Sequence, residues 1–167
     1  NSQAHSDKFK EHMKYVLSLL KLEAKQDSLI VEVGCGKGDF VEMVQDDGFF
    51  KIKGFDASFE GNNSAIEKRY LNKNDRIKAD LIVLRHVLEH VPNPYNFFLM
   101  LKEVFENAKI YIEVPNYDDA LIKTYKSKSF KKFTFWSQHL FYYSPKTLKN
   151  ILHSAGFKVK KLNQIQR

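Results

Sequence analysis

Three glycines stand at alternate positions in the stretch Leu29–Phe40, LIVEVGCGKGDF: Gly34, Gly36 and Gly38. After an apolar run, glycines so spaced let the backbone pass close to a ligand where any side chain would collide. A tight turn that needs glycine and binds nothing is the plain alternative. Dinucleotide-binding turns read G-x-G-x-x-G, so that a pyrophosphate rests on a helix N-terminus. Here the spacing is G-x-G-x-G, Asp39 takes the last position of that fingerprint, and Glu32 adds an acid just before the loop. Two carboxylates disfavour a phosphate and suit a ligand that carries positive charge. Twenty residues beyond Gly36 comes Asp56, in GFDAS. An acid there can accept both hydrogen bonds of a ribose diol, or cap the turn that follows.

Three further groupings carry chemistry. His139 sits in the aromatic stretch FTFWSQHLFYYSPKTLKNIL, and imidazole is the base best suited to neutral pH. Its bland alternative is packing between Trp136 and Tyr142. HVLEH, His86 to His90, matches the H-x-x-E-H of one zinc peptidase group. Pro92 and Pro94 leave that segment little helix on which to present two ligands, and no metal ligand is assigned. KTYKSKSFKKF, Lys123 to Phe133, interleaves lysines with aromatics. Such a mixture serves a nucleic acid, a nucleotide-sugar diphosphate or nothing beyond a solvated loop.

The elements that position these residues alternate. Phe9, Met13, Val16, Leu17 and Leu20 recur at helical spacing and predict an amphipathic helix over 7–24. SLIVEV reads as a strand buried on both faces. Asp39–Asp47 continues as a helix stopped by Gly48. FKIKGFD, the weaker AIEKRYL, ADLIVL and KIYIEV supply strands two to five. Asn93 caps a helix with Pro94 first and Phe97, Phe98, Leu101, Val104 and Phe105 inward. Ser144 caps another, with Pro145 first, Leu148, Ile151 and Leu152 inward and Gly156 closing it. FKVKKLNQI reads as a sixth strand. This alternation predicts an α/β three-layer sandwich: a Rossmann-like, mostly parallel sheet with helices on both faces.

The 167 residues suit one domain, spanning 1–167, or a fragment of a longer protein. No apolar run is long enough to span a membrane, and the single cysteine makes a reducing cytoplasm the default compartment. The formal charge of +7 favours anionic partners without choosing among them.

Taken together, VEVGCGKGDF, GFDAS and ADLIVLRHVLEHVPNP resemble the first, second and fourth-strand motifs of the class I S-adenosylmethionine-dependent methyltransferases. The resemblance runs from Leu29 to Val159. It implies a donor with a sulfonium cation, a ribose and an adenine, and no phosphate. By position, Gly34, Cys35, Gly36 and Gly38 would line the amino-acid part of the donor, with Glu32 contributing hydrogen bonds. Asp56 would hold the ribose, Ala57, Ser58 and Phe59 would lie near the adenine, and Leu84, Arg85 and His86 would edge the sulfonium. Only 23 residues separate Asp56 from Asp80, and a loop through Gly61 and Asn62 replaces the helix usual there.

The segment around His139, with IEVPNYD before it, resembles the sugar methyltransferases, in whose C-methylating members a histidine before YFS or YYS acts as base. The Tyr and Glu of that group are Trp136 and Gln138 here, which leaves the acceptor atom open. A small or carrier-linked acceptor, a sugar or nucleotide-sugar first, is the expected substrate. RNA is the second choice, and a non-catalytic donor-binding domain the third. The family's seventh strand finds no segment after FKVKKLNQI, so a fragment, a differently placed last strand or a partner chain filling the gap is expected, and an open edge of this kind predicts homodimerisation or aggregation.

Overall fold

The computed structural model describes residues 2–117 and 139–165, with side chains from Asp7 onward. In chain order these form α1 (Ser2–Lys21), β1 (Leu29–Val33), α2 (Asp39–Asp47), β2 (Lys51–Phe55), β3 (Ile66–Glu67), β4 (Leu81–Arg85), a 3-10 turn (Leu88–His90), α3 (Pro94–Val104), β5 (Lys109–Glu113) and α4 (Pro145–Ser154). None of the described helices is long and apolar enough to cross a membrane. The chain falls into two compact units, Asn1–Leu84 with Val104–Ile112, and Arg85–Glu103 with Glu113–Arg167.

The first unit is built on the sheet, ordered β3-β2-β1-β4-β5. β1 pairs in parallel with β2 and β4, and β2 with β3. The order reverses direction at β1, so the turn leaving β1 stands where open α/β sheets bind their ligands. Ile30, Val31, Val33, Leu81, Ile82, Val83 and Leu84 are all buried. Their continuous apolar character is what a strand covered on both faces requires. Met13, Val16, Leu17 and Leu20 of α1 join Phe40 and Val44 of α2 and Phe50 in the core against Ile30, Leu81 and Val83. Burying a ring such as Phe40 contributes about 1.5–3 kcal/mol. Phe9, expected on the same helical face, is exposed, because α1 begins at Ser2 and its first turns extend beyond that core.

Residues 57–80 hold no helix, as the short spacing predicted, and the expected third strand shrinks to two residues. An ion network holds this loop instead. Arg69 grips Asp75 with Nη1 and Nη2, both at 2.9 Å, and donates from Nε to Glu67 at 2.6 Å, while Lys53 of β2 pairs with Glu67. Hydrogen bonding from Arg69 holds Asp75 below the usual carboxylate range, and that from Lys53 does the same for Glu67. Both pKa values are lowered on folding, so the network stabilises fully above the unfolded values, near pH ~4, and its contribution is lost as pH falls through the native ones. Because these groups are partly exposed, Arg69→Met is expected to cost only about 1 kcal/mol at neutral pH. Thermal melts should show that deficit shrinking under acid and in high salt.

In the second unit, Asn93 Oδ1 accepts from the Asn96 N–H at 3.0 Å, so Asn93 caps α3 as expected. Ser144 and Thr147 form a reciprocal capping box on α4. Phe98 meets Phe157 edge-on at 5.6 Å, and Lys102 Nζ donates to the Ala155 carbonyl. The sixth strand is a correction: residues 157–165 form none. The Phe157 N–H is spent on the Leu152 carbonyl and that of Gly156, φ +79, on His153, a Schellman closure of α4. Alternating side chains make a strand only where a neighbour completes the ladder, and none of the described strands pairs with this segment.

Candidate functional site

The turn after β1 follows from its glycines. Gly34, Gly36 and Gly38 all have positive φ, at 73°, 57° and 88°, which L-residues adopt only under strain. Their reasons differ. A Cβ on Gly38 would come within 2.6 Å of Ile66 Cδ1 and 3.4 Å of the Phe59 ring, so that glycine serves close packing. A Cβ on Gly36 would meet nothing within 4 Å. Gly36 therefore presents bare backbone to open space at the ligand-binding end of the sheet.

Asp56, just beyond β2, is bonded to this turn. Its Oδ2 accepts from the Gly36 N–H at 2.7 Å, while Oδ1 accepts from the Ser58 N–H at 2.8 Å and its hydroxyl at 2.6 Å. Asp56 thus caps the turn that follows it, one of the two roles expected of it, and fixes the glycine loop. A carboxylate offers about four acceptor positions, and these three donors leave room on Oδ2. Glu32 is 1% exposed in the middle of the sheet. The first turn of α2 carries Asp39 and Glu42, with no side-chain cap on its N-terminus. An anionic helix start fits a ligand without phosphate.

The other first-unit candidates divide by exposure. Ser58 is exposed and Ala57 half-buried. Phe59 and Cys35 lie in a core cluster with Val41 and Ile66, and Cys35 is a buried thiol. Leu84 is fully buried within β4, which leaves its backbone rather than its side chain for contact with a ligand.

The second unit carries a cluster of titratable groups. Arg85 is half-buried and His86 exposed. His86 has φ +54, a strained value for a residue with a side chain, and its N–H donates to the Glu113 carbonyl at 2.9 Å. Its Nδ1 lies 3.3 Å from Glu89 Oε1 and its Nε2 3.7 Å from Glu113 Oε1. The helical presentation of HVLEH does not form: only Leu88–His90 is helical, as a 3-10 turn, and His86 precedes it. What forms is a grouping of Glu89, His90 and His139, with one ligating atom of each within 4.8 Å of the others.

Backbone bonds build that grouping. The Leu140 and Phe141 N–H groups both donate to the Glu89 carbonyl, at 2.8 and 3.2 Å. Tyr143 Oη donates to the Leu88 carbonyl at 3.3 Å, and burial pushes its hydroxyl up to about 12, so it stays a donor. The rings of His90 and His139 stand edge-on at 4.9 Å, and Tyr142 lies 5.8 Å from His139. Sequence reasoning singled out His139 but not Glu89 as its neighbour. The signal available was the E-H pair in HVLEH, and nothing local could join it to a residue fifty positions away. Trp136, Gln138 and the lysine run 123–133 lie outside the described residues.

A family profile described as a methyltransferase domain matches residues 5–162. No curated protein matches the chain at a significant level. Among solved structures, the chain is similar to an S-adenosylmethionine-dependent methyltransferase from Archaeoglobus fulgidus. The TM-score is 0.59 at 24% identity, over 95% of this chain and 75% of that one. It also resembles the plantazolicin methyltransferase bound to S-adenosylhomocysteine, with TM-score 0.64 and 17% identity over 86% of this chain and 62% of that one. A third is a phosphoethanolamine N-methyltransferase from Haemonchus contortus bound to S-adenosylmethionine, with TM-score 0.54 and 14% identity over 84% and 36%. At these identities the likeness is one of fold.

Proposed function

The chain belongs to the methyltransferase-domain family, enzymes whose methyl donor is S-adenosylmethionine, and on that premise we propose that it methylates a small or carrier-linked acceptor, a sugar or nucleotide-sugar first. The observation that carries the donor site is the bare Gly36 backbone, locked to Asp56 at 2.7 Å with open space above it. In this reading Gly34, Gly36 and Gly38 hold the amino-acid end of the donor and Asp56 its ribose. The acceptor's electron pair attacks the methyl carbon in line, the carbon–sulfur bond breaks, and its electrons neutralise the sulfonium. His139, beside the Glu89 carboxylate, takes the acceptor's proton. The sugar preference rests on the resemblance of QHLFYYS and IEVPNYD to sugar methyltransferases.

Two substitutions separate binding from folding. Gly36→Ala is expected to cost about 1 kcal/mol of stability, since only its φ is strained. It should nonetheless weaken donor binding at least about tenfold by filling the open space. Gly38→Ala meets Ile66 as well and should cost about 1–3 kcal/mol. Denaturant melts and calorimetry on both variants decide the matter: unchanged donor affinity in Gly36→Ala would contradict the site. The net charge of +7 suits any anionic acceptor, and the second reading, RNA, would show affinity falling steeply with salt. We assign the chain to a reducing cytoplasm, which suits its one buried thiol, and expect it to form a homodimer.

A further inference from the structure

Glu89 is 1% exposed, and among the described residues neither of its carboxylate oxygens has a hydrogen-bond partner, with His86 Nδ1 at 3.3 Å from Oε1. A buried carboxylate without hydrogen bonds is costly unless a cation compensates it. The side chains gathered around it are ligands: ring nitrogens of His90 and His139 belong with a Glu89 oxygen in one group within 4.8 Å. We infer that Glu89, His90 and His139 form a binding site for one divalent transition-metal ion, with zinc as the best match. Two imidazoles and one carboxylate select that class over magnesium or calcium, which prefer all-oxygen sites.

Zinc bonds of about 2.0–2.2 Å place tetrahedral ligands about 3.4 Å apart. Side-chain rotation supplies that contraction, because the backbone is already fixed. The Leu140 and Phe141 amides pin the segment that follows His139 to the carbonyl of Glu89, and Tyr143 ties it to Leu88. His86 Nδ1 lies 3.3 Å from Glu89 Oε1, close enough to move onto the carboxylate as it turns toward the ion. Among the described residues three ligands gather, which leaves a fourth position for a further ligand, the arrangement of a catalytic rather than a structural zinc. An acceptor hydroxyl bound there would ionise more readily. That role rests on the methyl-transfer reading and makes His139 a ligand in place of a base. The metal site itself does not depend on it.

The test uses chelator-treated full chain without donor or acceptor, titrated with Zn2+ by calorimetry and with Co2+ by visible absorption. The wild type should bind one equivalent and give the intense absorption of tetrahedral cobalt. Glu89→Gln and His139→Ala should each weaken binding about 100-fold or more, with circular dichroism unchanged. His153→Ala, which removes an exposed histidine of α4, should bind like wild type. No binding by the wild type, or binding that survives Glu89→Gln, would overturn the inference. Because S-adenosylmethionine binding is measured separately, a failed metal site and a failed donor site give different results.

Discussion

Asp56→Ala should weaken S-adenosylmethionine binding about 100-fold or more. Two hydrogen bonds from a ribose diol to a charged carboxylate, at about 1.5 kcal/mol each, come to about 3 kcal/mol. The substitution also frees the Gly36 N–H, now held at 2.7 Å, so the turn that receives the donor loses its clamp. For the diol to make both bonds, the Ser58 hydroxyl must swing away from Oδ1, which it occupies at 2.6 Å. Asp56→Asn keeps an acceptor for the Gly36 N–H but loses the charge, and it should fall between wild type and Asp56→Ala. Calorimetry reads both variants. If Asp56 only caps its turn, Tm falls while donor affinity stays.

His139→Ala should lower kcat by roughly 100-fold to 10,000-fold on any acceptor found by transfer of a labelled methyl group, the range for loss of a general base. Removing a metal ligand would produce a loss of similar kind, so the effect holds whether His139 takes the proton or holds a cation. Donor affinity should stay within about twofold, since the group acts on the acceptor. Steady-state rates with calorimetry on the same protein separate the two. A variant with full turnover would reduce His139 to packing against Tyr142, from which it stands 5.8 Å.

The glycine turn and its acidic partner were legible in the sequence because their signals are local. Alternating glycines, an acid twenty residues on and an apolar strand all lie within Leu29–Asp56, and the structure brings Gly36 and Asp56 into direct contact. α2 runs from Asp39 to Asp47 as its pattern and Gly48 required, and Asn93 and Ser144 cap their helices. The failures have non-local causes. Residues 157–165 alternate like a strand, but a strand needs a partner, and the chain there closes α4 instead. AIEKRYL reduces to Ile66–Glu67 because Arg69 turns away to Asp75. Phe9 fits the helical period yet lies beyond the core that the period is meant to face. The Glu89 grouping is written in backbone bonds from Leu140 and Phe141, for which side-chain spacing gives no sign.

Calorimetric titration of the wild-type chain with S-adenosylmethionine, S-adenosylhomocysteine and NAD tests the central claim most directly. Saturable binding of both sulfur ligands with no response to NAD is the predicted result, since the G-x-G-x-G spacing and its flanking acids disfavour a pyrophosphate. Binding of NAD, or of neither sulfur ligand, would contradict the assignment of the glycine turn and Asp56 as the methyl-donor site.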